Sequence, residues 1–219
     1  GTLNTPRPNN FTAADGPQTA TIVAGGGPSA PAMSATEKYN GTSWTETGHA
    51  LPENTYTNAL VGTQTAALSI GGNPTGGPAR VDTVNTSLSG SGRALMGKAG
   101  TQTAAFVFGG EPIPSGEEQW NGTSWTETAN LNTTRGQQGG GGTTTAALCV
   151  SGATADGGAA PSITAAVEEW NGTSWTEIAD VNTKRRSLGI GMTSVTDATA
   201  TGGQAVPGSE KYTEIFNGT

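Results

Sequence analysis

The sequence has few of the residues from which many functional sites are built. Its 219 residues include one cysteine, Cys149, and one histidine, His49. An intrachain disulfide is therefore excluded. A lone histidine without a nearby cysteine or acidic cluster does not indicate a metal site. We interpret Cys149, within the run AALCVSG, as a small buried apolar residue, and we predict no cofactor.

Charged residues and long apolar runs are also scarce. Charged residues make up 12% of the chain and aromatic residues 5%, and the net charge is −7. An acidic surface repels phosphate backbones, so we expect no nucleic-acid partner. No apolar run approaches the length of a transmembrane helix, and we expect no membrane insertion. No signal peptide is recognisable and the chain does not begin with Met, so the sequence is compatible with part of a longer protein.

Glycine, in contrast, is abundant, with 35 copies beside 12 prolines. Such a composition can indicate disorder. Here, however, Gly and Asn recur at fixed places between short apolar runs. The composition therefore favours a folded chain that is rich in turns.

The chain contains an internal repeat. The string WNGTSWTE occupies residues 120–127 and 170–177, and the near copy YNGTSWTE occupies residues 39–46. A second string, GTQTAA or a close relative of it, begins at Gly16, Gly62, Gly100 and Gly142. A spacing of roughly 40–50 residues is typical of four-stranded propeller blades.

Each repeat is predicted to form β-strands. TAALSIGG and TAAFVFGG are short apolar runs that suit a strand buried on both faces. VEEWNGTSWTE predicts a hairpin, with Asn-Gly in a type I′ turn. No segment shows sustained helical periodicity. We expect tandem four-stranded sheets whose packing uses the large rings of Trp44, Trp120, Trp125, Trp170 and Trp175.

The Gly pair, the acidic residue before an aromatic, the Trp a few residues later and the Arg after it resemble the Kelch motif. The resemblance covers nearly the whole chain. It implies an all-β, Kelch-like β-propeller in a single domain, 1–219, with about five blades at roughly 3–50, 51–90, 91–130, 131–180 and 181–219. The second unit lacks both Trp residues. The last unit, TEIFNGT, has Phe216 in the first Trp position and no SWTE strand, so its blade is incomplete in this chain.

The repeated acids are compatible with a structural role or with a catalytic one. We predict that Glu37, Glu118, Glu168 and Glu210 have a shared structural role, such as pairing with the repeated Arg7, Arg93, Arg135 and Arg185. The alternative is acid–base chemistry of the glycosidase type. The chain lacks the ligands of a copper oxidase and a recognisable Ser–His–Asp setting. The run at 136–142 lacks the Lys and Ser/Thr of a phosphate loop and is interpreted as a strand entry. We therefore predict that the chain is not an enzyme.

Binding is expected on one face of the predicted propeller. In a blade with strands a to d, the b–c and d–a loops lie on the face opposite the a–b and c–d turns. The b–c loops vary in length and content, and variable loops on a rigid scaffold are the usual layout of a binding surface. The alternative is that these loops vary without a function. Predicted binding residues are Asn4, Arg7, Arg80, Glu111, Asn132, Arg135, Asp156, Asn182 and Arg185.

The combination WNGTSWTE, LNTxR, GTQTAAL and GG is also similar to Kelch-like repeats in structural proteins of marine bacteriophages. This resemblance implies a non-enzymatic structural or receptor-binding module of a phage particle, in a tail fibre or surface appendage, located on the virion or outside the cell. Its partners would be other virion proteins or a host-surface glycan or protein, and an oligomer is compatible with this role. Two alternatives stay open: a Kelch-type protein–protein adaptor, and a glycan-binding lectin or carbohydrate-active enzyme.

Overall fold

The computed structural model describes residues 2–7, 13–26, 34–51, 54–74, 94–113, 116–156, 162–205, 208–209 and 211–217. Within these ranges the chain forms antiparallel β-strands and no α-helix. The described part of the chain accordingly offers no helical segment that could serve as a membrane span.

The chain forms two compact units. The first comprises Gly1–Ala94 with the short segments Thr101–Thr103 and Gly122–Ser124, and the second comprises Leu95–Gly100, Ala104–Asn121 and Trp125–Thr219. Nearly all of the first and second predicted blades falls in the first unit, and most of the other three falls in the second. The expectation of a single domain stays a prediction.

The first unit contains one four-stranded sheet and two short strand pairs. Sheet 1 runs in sequence order through β1 (Ala13–Asp15), β2 (Ile22–Ala24), β3 (Ala35–Tyr39) and β4 (Trp44–Ala50). Sheet 2 is the pair β6 (Ala59–Thr63) and β7 (Ala66–Ile70), while β5 (Thr55–Tyr56) pairs with β8 (Asn73–Pro74). Ile22 and Ala24 of sheet 1 form one apolar core with Leu60 of sheet 2.

The second unit contains most of the remaining strands, again in antiparallel order. Sheet 3 is β9 (Gly97–Thr101), β10 (Ala104–Phe108), β11 (Glu118–Trp120) and β12 (Trp125–Glu127). Sheet 4 is β13 (Gly139–Gly142), β14 (Ala147–Ala153), β15 (Ile163–Trp170) and β16 (Trp175–Ile178). Sheet 5 is β17 (Gly189–Ser194), β18 (Asp197–Thr201) and β21 (Thr213–Phe216), and β19 (Gln204–Ala205) pairs with β20 (Gly208–Ser209).

Aromatic rings fill the space between sheets 3 and 4. Phe106 lies 5.1 Å from Trp170 and Phe108 lies 5.0 Å from Trp175, measured between ring centroids. All four side chains are buried. Because large rings bury much apolar area in a chain with few of them, this cluster is a major source of the packing energy of the second unit.

The WNGTSW hairpins form, but not with the predicted turn. Trp170 pairs with Trp175, which leaves a four-residue loop between the strands. The Asn171 side-chain oxygen accepts the backbone N–H groups of Thr173 and Ser174, both at 2.9 Å. Only Gly172 has a positive φ, +95°. The type I′ prediction is therefore wrong, because Asn acts here through its side chain, as in an Asx turn, and not through a left-handed backbone.

The glycines Gly139–Gly142 form strand β13, whose backbone lies close to side chains of the adjacent sheets. A Cβ added to Gly139 would come 2.5 Å from Cγ1 of Ile190, and one added to Gly140 would come 2.6 Å from Cζ of Phe108. The run pairs with β14 along its whole length. The absence of side chains on β13 therefore lets residues of sheets 3 and 5 pack directly against its backbone.

We predict that Gly140→Ala destabilises the protein by about 1–3 kcal/mol, because the methyl group overlaps Phe108 in a packed core. Gly189→Ala is the matched control, since its Cβ would meet nothing closer than Thr201 O at 3.8 Å. Chemical denaturation measures both changes. Equal stability of the two variants would contradict the close-packing explanation.

The single thiol is predicted to be unreactive in the folded protein. Burial raises the pKa of Cys149 from 9.0 to about 12, and the thiolate is the reactive form. A thiol-exchange reagent at about pH 8 should label Cys149 only after denaturant is added. Because the pKa is higher in the folded state, the contribution of the protonated thiol to the free energy of unfolding is fully present below about pH 9. It is lost as the pH rises toward 12. Rapid labelling of native protein would show that the core around Cys149 opens readily.

Candidate binding surface

A buried carboxylate organises the start of sheet 4. Glu168 accepts the backbone N–H of Asn132 at 2.7 Å and that of Thr133 at 3.2 Å, and it forms an ion pair with Arg135. The Asn132 amide donates to the same carboxylate at 2.9 Å and to the carbonyl oxygen of Trp175 at 3.1 Å. The link that precedes sheet 4 is thus held against its third and fourth strands.

The same arrangement occurs at three places among the residues that the structure describes. In each, a glutamate on the third strand accepts two successive backbone N–H groups and a guanidinium group from the preceding link. We call this arrangement the carboxylate clasp. Its members are Asn4, Thr5, Arg7 and Glu37; Asn132, Thr133, Arg135 and Glu168; and Asn182, Thr183, Arg185 and Glu214.

The clasp satisfies charges that would otherwise be costly to bury. The side chains of Glu37 and Glu168 are fully buried, and that of Glu214 is 17% exposed. A buried carboxylate is tolerated when it is paired and hydrogen-bonded. The pairing of repeated acids with repeated arginines, expected from the sequence, is therefore present in these three sheets.

One member of the predicted acid set is corrected by the structure. The acid that pairs with Arg185 is Glu214, at 2.7 Å, which was not in the predicted set. Glu214 lies two residues before Phe216, as Glu168 lies two residues before Trp170. Glu210 and Arg93 lie outside the described residues, and Glu118 is buried in β11.

The clasp also determines where most of the predicted binding residues lie. Arg7, Arg135 and Arg185 are buried and do not reach an open loop surface, a placement that differs from the exposed one expected. The side chains of Asn4, Asn132 and Asn182 donate hydrogen bonds within the sheets. Arg80 lies outside the described residues. Two predicted binding residues, Glu111 and Asp156, do lie on loops between the second and third strands.

Glu111 belongs to a group of polar side chains that we call the polar loop cluster: Glu111, Gln137, Arg186 and Ser187. The Gln137 amide nitrogen donates to the Glu111 carboxylate at 2.6 Å, and Arg186 donates to the Gln137 side-chain oxygen at 2.8 Å. Ser187 lies 3.5 Å from that oxygen. The cluster therefore joins the b–c loop of sheet 3 to the links that precede sheets 4 and 5.

Asp156 joins two of the loops on this face by a hydrogen bond. Its carboxylate accepts the backbone N–H of Ile113 at 2.8 Å, which joins the b–c loops of sheets 3 and 4. Asp156 is itself exposed. Its contact positions the loop that carries Glu111.

The backbone beneath the cluster has a repeated, unusual conformation. Leu95, Gln137 and Ser187 have φ values of +55°, +57° and +55°. Gln137 N donates to Leu95 O at 2.9 Å, and Ser187 N donates to Gln137 O at 2.6 Å. Non-glycine residues at positive φ cost energy and persist where their surroundings hold them. The sequence pattern did not indicate Gln137, Arg186 and Ser187, although each follows a repeated arginine by one or two positions.

The chemistry of the cluster is that of hydrogen bonding. The Glu111 carboxylate and the Arg186 guanidinium are partly exposed and act as acceptor and donor, whereas Gln137 is buried and its amide joins the two. No group of three or more His, Cys, Asp or Glu side chains is placed to hold a metal ion within the described ranges. The surface is therefore equipped to recognise polar groups on a ligand.

We predict that Glu168→Gln destabilises the protein by about 3–5 kcal/mol, because it leaves the buried Arg135 guanidinium without its counter-charge. Glu214→Gln should cost less, since the Glu214 side chain is partly exposed. Glu177→Gln is the matched control on the strand opposite, where Glu177 is exposed, and its effect should stay within about 0.5 kcal/mol. Urea denaturation of the three variants tests this order, and a reversed order would contradict the clasp as a stabilising unit.

Comparison with known proteins gives a likeness in fold. No family model matches the sequence, and no curated protein matches it. The chain is similar to a solved structure titled "Structure of YjhT", with a TM-score of 0.73 and 12% sequence identity, over 97% of this chain and 82% of that one. YjhT is a Kelch-type β-propeller. At this identity the likeness concerns the fold alone, and this chain has an all-β, propeller-like fold built from antiparallel sheets.

Proposed function

We propose that the chain is a non-enzymatic binding module that contacts its partner through the face carrying the polar loop cluster. The observation that carries this proposal is the link from Glu111 through Gln137 to Arg186, which brings three loops together into one polar surface. In an antiparallel sheet, these loops lie at the end opposite the uniform NGT turns. Loops that differ between repeats, on a scaffold that does not, are the usual place for recognition.

The proposal includes a finer architecture. It consists of about five Kelch-like blades, of which the last is incomplete in this chain. Support comes from the repeat spacing, from the three four-stranded sheets 1, 3 and 4, and from the likeness to YjhT.

The proposed setting is a phage particle, in a tail fibre or another surface appendage. Support comes from the resemblance of the repeated strings to Kelch-like repeats in structural proteins of marine bacteriophages. The partners would then be other virion proteins or a host-surface glycan or protein. The net charge of −7 argues against nucleic acid as the partner.

The use of the repeated carboxylates supports a role without catalysis. A general acid or base must reach its substrate, whereas Glu37 and Glu168 are buried and accept hydrogen bonds from their own chain. Of the alternatives, a lectin is favoured by the polar loop cluster, because the partly exposed Glu111 carboxylate and Arg186 guanidinium can both hydrogen-bond to sugar hydroxyls.

We predict that Glu111→Ala and Arg186→Ala each weaken binding to the host surface by roughly tenfold or more, since each removes a charged hydrogen-bonding group from the proposed contact. Binding of the labelled protein to host cells, and to an array of glycans, measures the effect. Thr173→Ala, in an exposed NGT turn, is the control and should bind as the unaltered protein does.

Two results would contradict the proposal. Equal binding by all three variants would remove the polar loop cluster from the contact. Absence of the chain from purified virions, measured by mass spectrometry, would contradict a role in the phage particle. Binding at this face would then be explained by the adaptor or the lectin alternative.

A further inference from the structure

Gln137 lies between a negative and a positive side chain of the polar loop cluster. Its amide nitrogen donates to the Glu111 carboxylate at 2.6 Å, and its amide oxygen accepts from the Arg186 guanidinium at 2.8 Å. The two charged groups are thus linked through a neutral amide. If that amide were removed, their opposite charges would draw them toward a direct ion pair.

Gln137 has its own hydrogen bonds satisfied within the protein. The residue is 7% exposed. Its backbone N–H donates to the carbonyl oxygen of Leu95 at 2.9 Å, and its carbonyl oxygen accepts the N–H of Ser187 at 2.6 Å. Both backbone groups and both ends of the amide are therefore engaged. Because a ligand would have to break one of these bonds to reach the amide, we interpret Gln137 as a residue that positions Glu111 and Arg186.

Arg186 and the loop of Glu111 are also fixed by contacts that do not involve Gln137. The backbone N–H of Arg186 donates to the carbonyl oxygen of Gln204 at 3.0 Å, and the N–H of Gln204 donates to that of Arg186 at 2.8 Å. The Glu111 loop is held by the bond from the Ile113 N–H to the Asp156 carboxylate, at 2.8 Å. The two partly exposed charged groups are thus held apart before any ligand arrives, which lowers the entropic cost of binding.

This pair of opposite charges favours a ligand without net charge. An anionic ligand would be attracted by Arg186 but repelled by Glu111 and by the net charge of −7. A cationic ligand would be attracted by Glu111 but repelled by Arg186. A hydroxyl group both donates and accepts, so the hydroxyls of one sugar ring can donate to the carboxylate and accept from the guanidinium.

We propose that the polar loop cluster binds a neutral hexose unit of a glycan. Hydroxyl groups of the hexose donate to Glu111 and accept from Arg186, and Gln137 is the positioning residue that keeps these two contacts apart. This inference rests on the proposed function, because it names the ligand class of the same face. It adds a role for a buried residue and a preference for uncharged sugars over charged ones.

The test uses the full chain on an array of immobilised oligosaccharides that end in glucose, galactose or mannose. Matched oligosaccharides end in the corresponding uronic acid or 2-amino sugar. At least one neutral oligosaccharide should bind. Its uronic acid and amino-sugar counterparts should each bind at least about tenfold more weakly, because each carries a charge that one of the two side chains repels.

Two variants test the role of Gln137. Gln137→Gly removes the amide but tolerates the observed φ of +57°. It should bind the neutral oligosaccharide at least about tenfold more weakly, because Glu111 and Arg186 are then free to pair with each other. Gln137→Asn keeps an amide and also tolerates a positive φ, so it should retain more binding than the Gly variant. Circular dichroism and thermal unfolding show that both variants are folded.

The possible results separate this inference from the proposed function. Host-cell binding that is lost in Glu111→Ala and Arg186→Ala, without binding to any neutral oligosaccharide, would overturn the hexose assignment and still support the binding face. Stronger binding to a charged oligosaccharide than to its neutral counterpart would also overturn it. Unaltered binding by Gln137→Gly would overturn the positioning role. Host-cell binding that is unchanged in Glu111→Ala and Arg186→Ala would contradict the proposed function as well.

Discussion

The carboxylate clasp is the interaction on which the rest of the described structure depends. A glutamate on the third strand is buried, and burying its charge is unfavourable unless donors surround it. Two backbone N–H groups and an arginine from the preceding link supply those donors, as they do at Glu168. The link can therefore take only one path, which determines where the first strand of that sheet begins. Because the same solution recurs, the repeats keep one geometry although their loops differ.

The clasp also explains how a chain with 32% hydrophobic residues forms stable sheets. Part of the interior is polar, with its carboxylates held by ion pairs and hydrogen bonds, and much of the remainder is built by small residues that allow close approach. The strand Gly139–Gly142 has no side chains, and Phe108 and Ile190 pack against its backbone. A composition rich in glycine can indicate disorder, but in this region glycine is required for the close packing of the sheets.

Periodicity and residue type were sufficient to predict the strands and the acid–arginine pairing, because both depend on patterns that recur in each repeat. The turn at Asn171 was not predictable from propensity, since Asn can use either its backbone or its side chain. Arg135 is predicted on the loop face because it lies in a link between two sheets, whereas its side chain is buried and reaches back to Glu168, 33 residues along the chain. Gln137 was missed because its role comes from contacts between sheets that no single repeat contains.

The positions that the clasp occupies determine which residues of each link are constrained and which can vary. Within each link, the Asn and Thr positions donate backbone N–H groups to the carboxylate, and loss of the Arg side chain removes the counter-charge of the glutamate. The one or two residues after the arginine do not contact the carboxylate, so their side chains can differ between repeats. They are Gln137 in one link and Arg186 and Ser187 in the next. These are the positions whose side chains form the polar loop cluster. Chemical diversity is therefore concentrated one or two residues beyond the most constrained part of the chain, where a rigid backbone holds it in place.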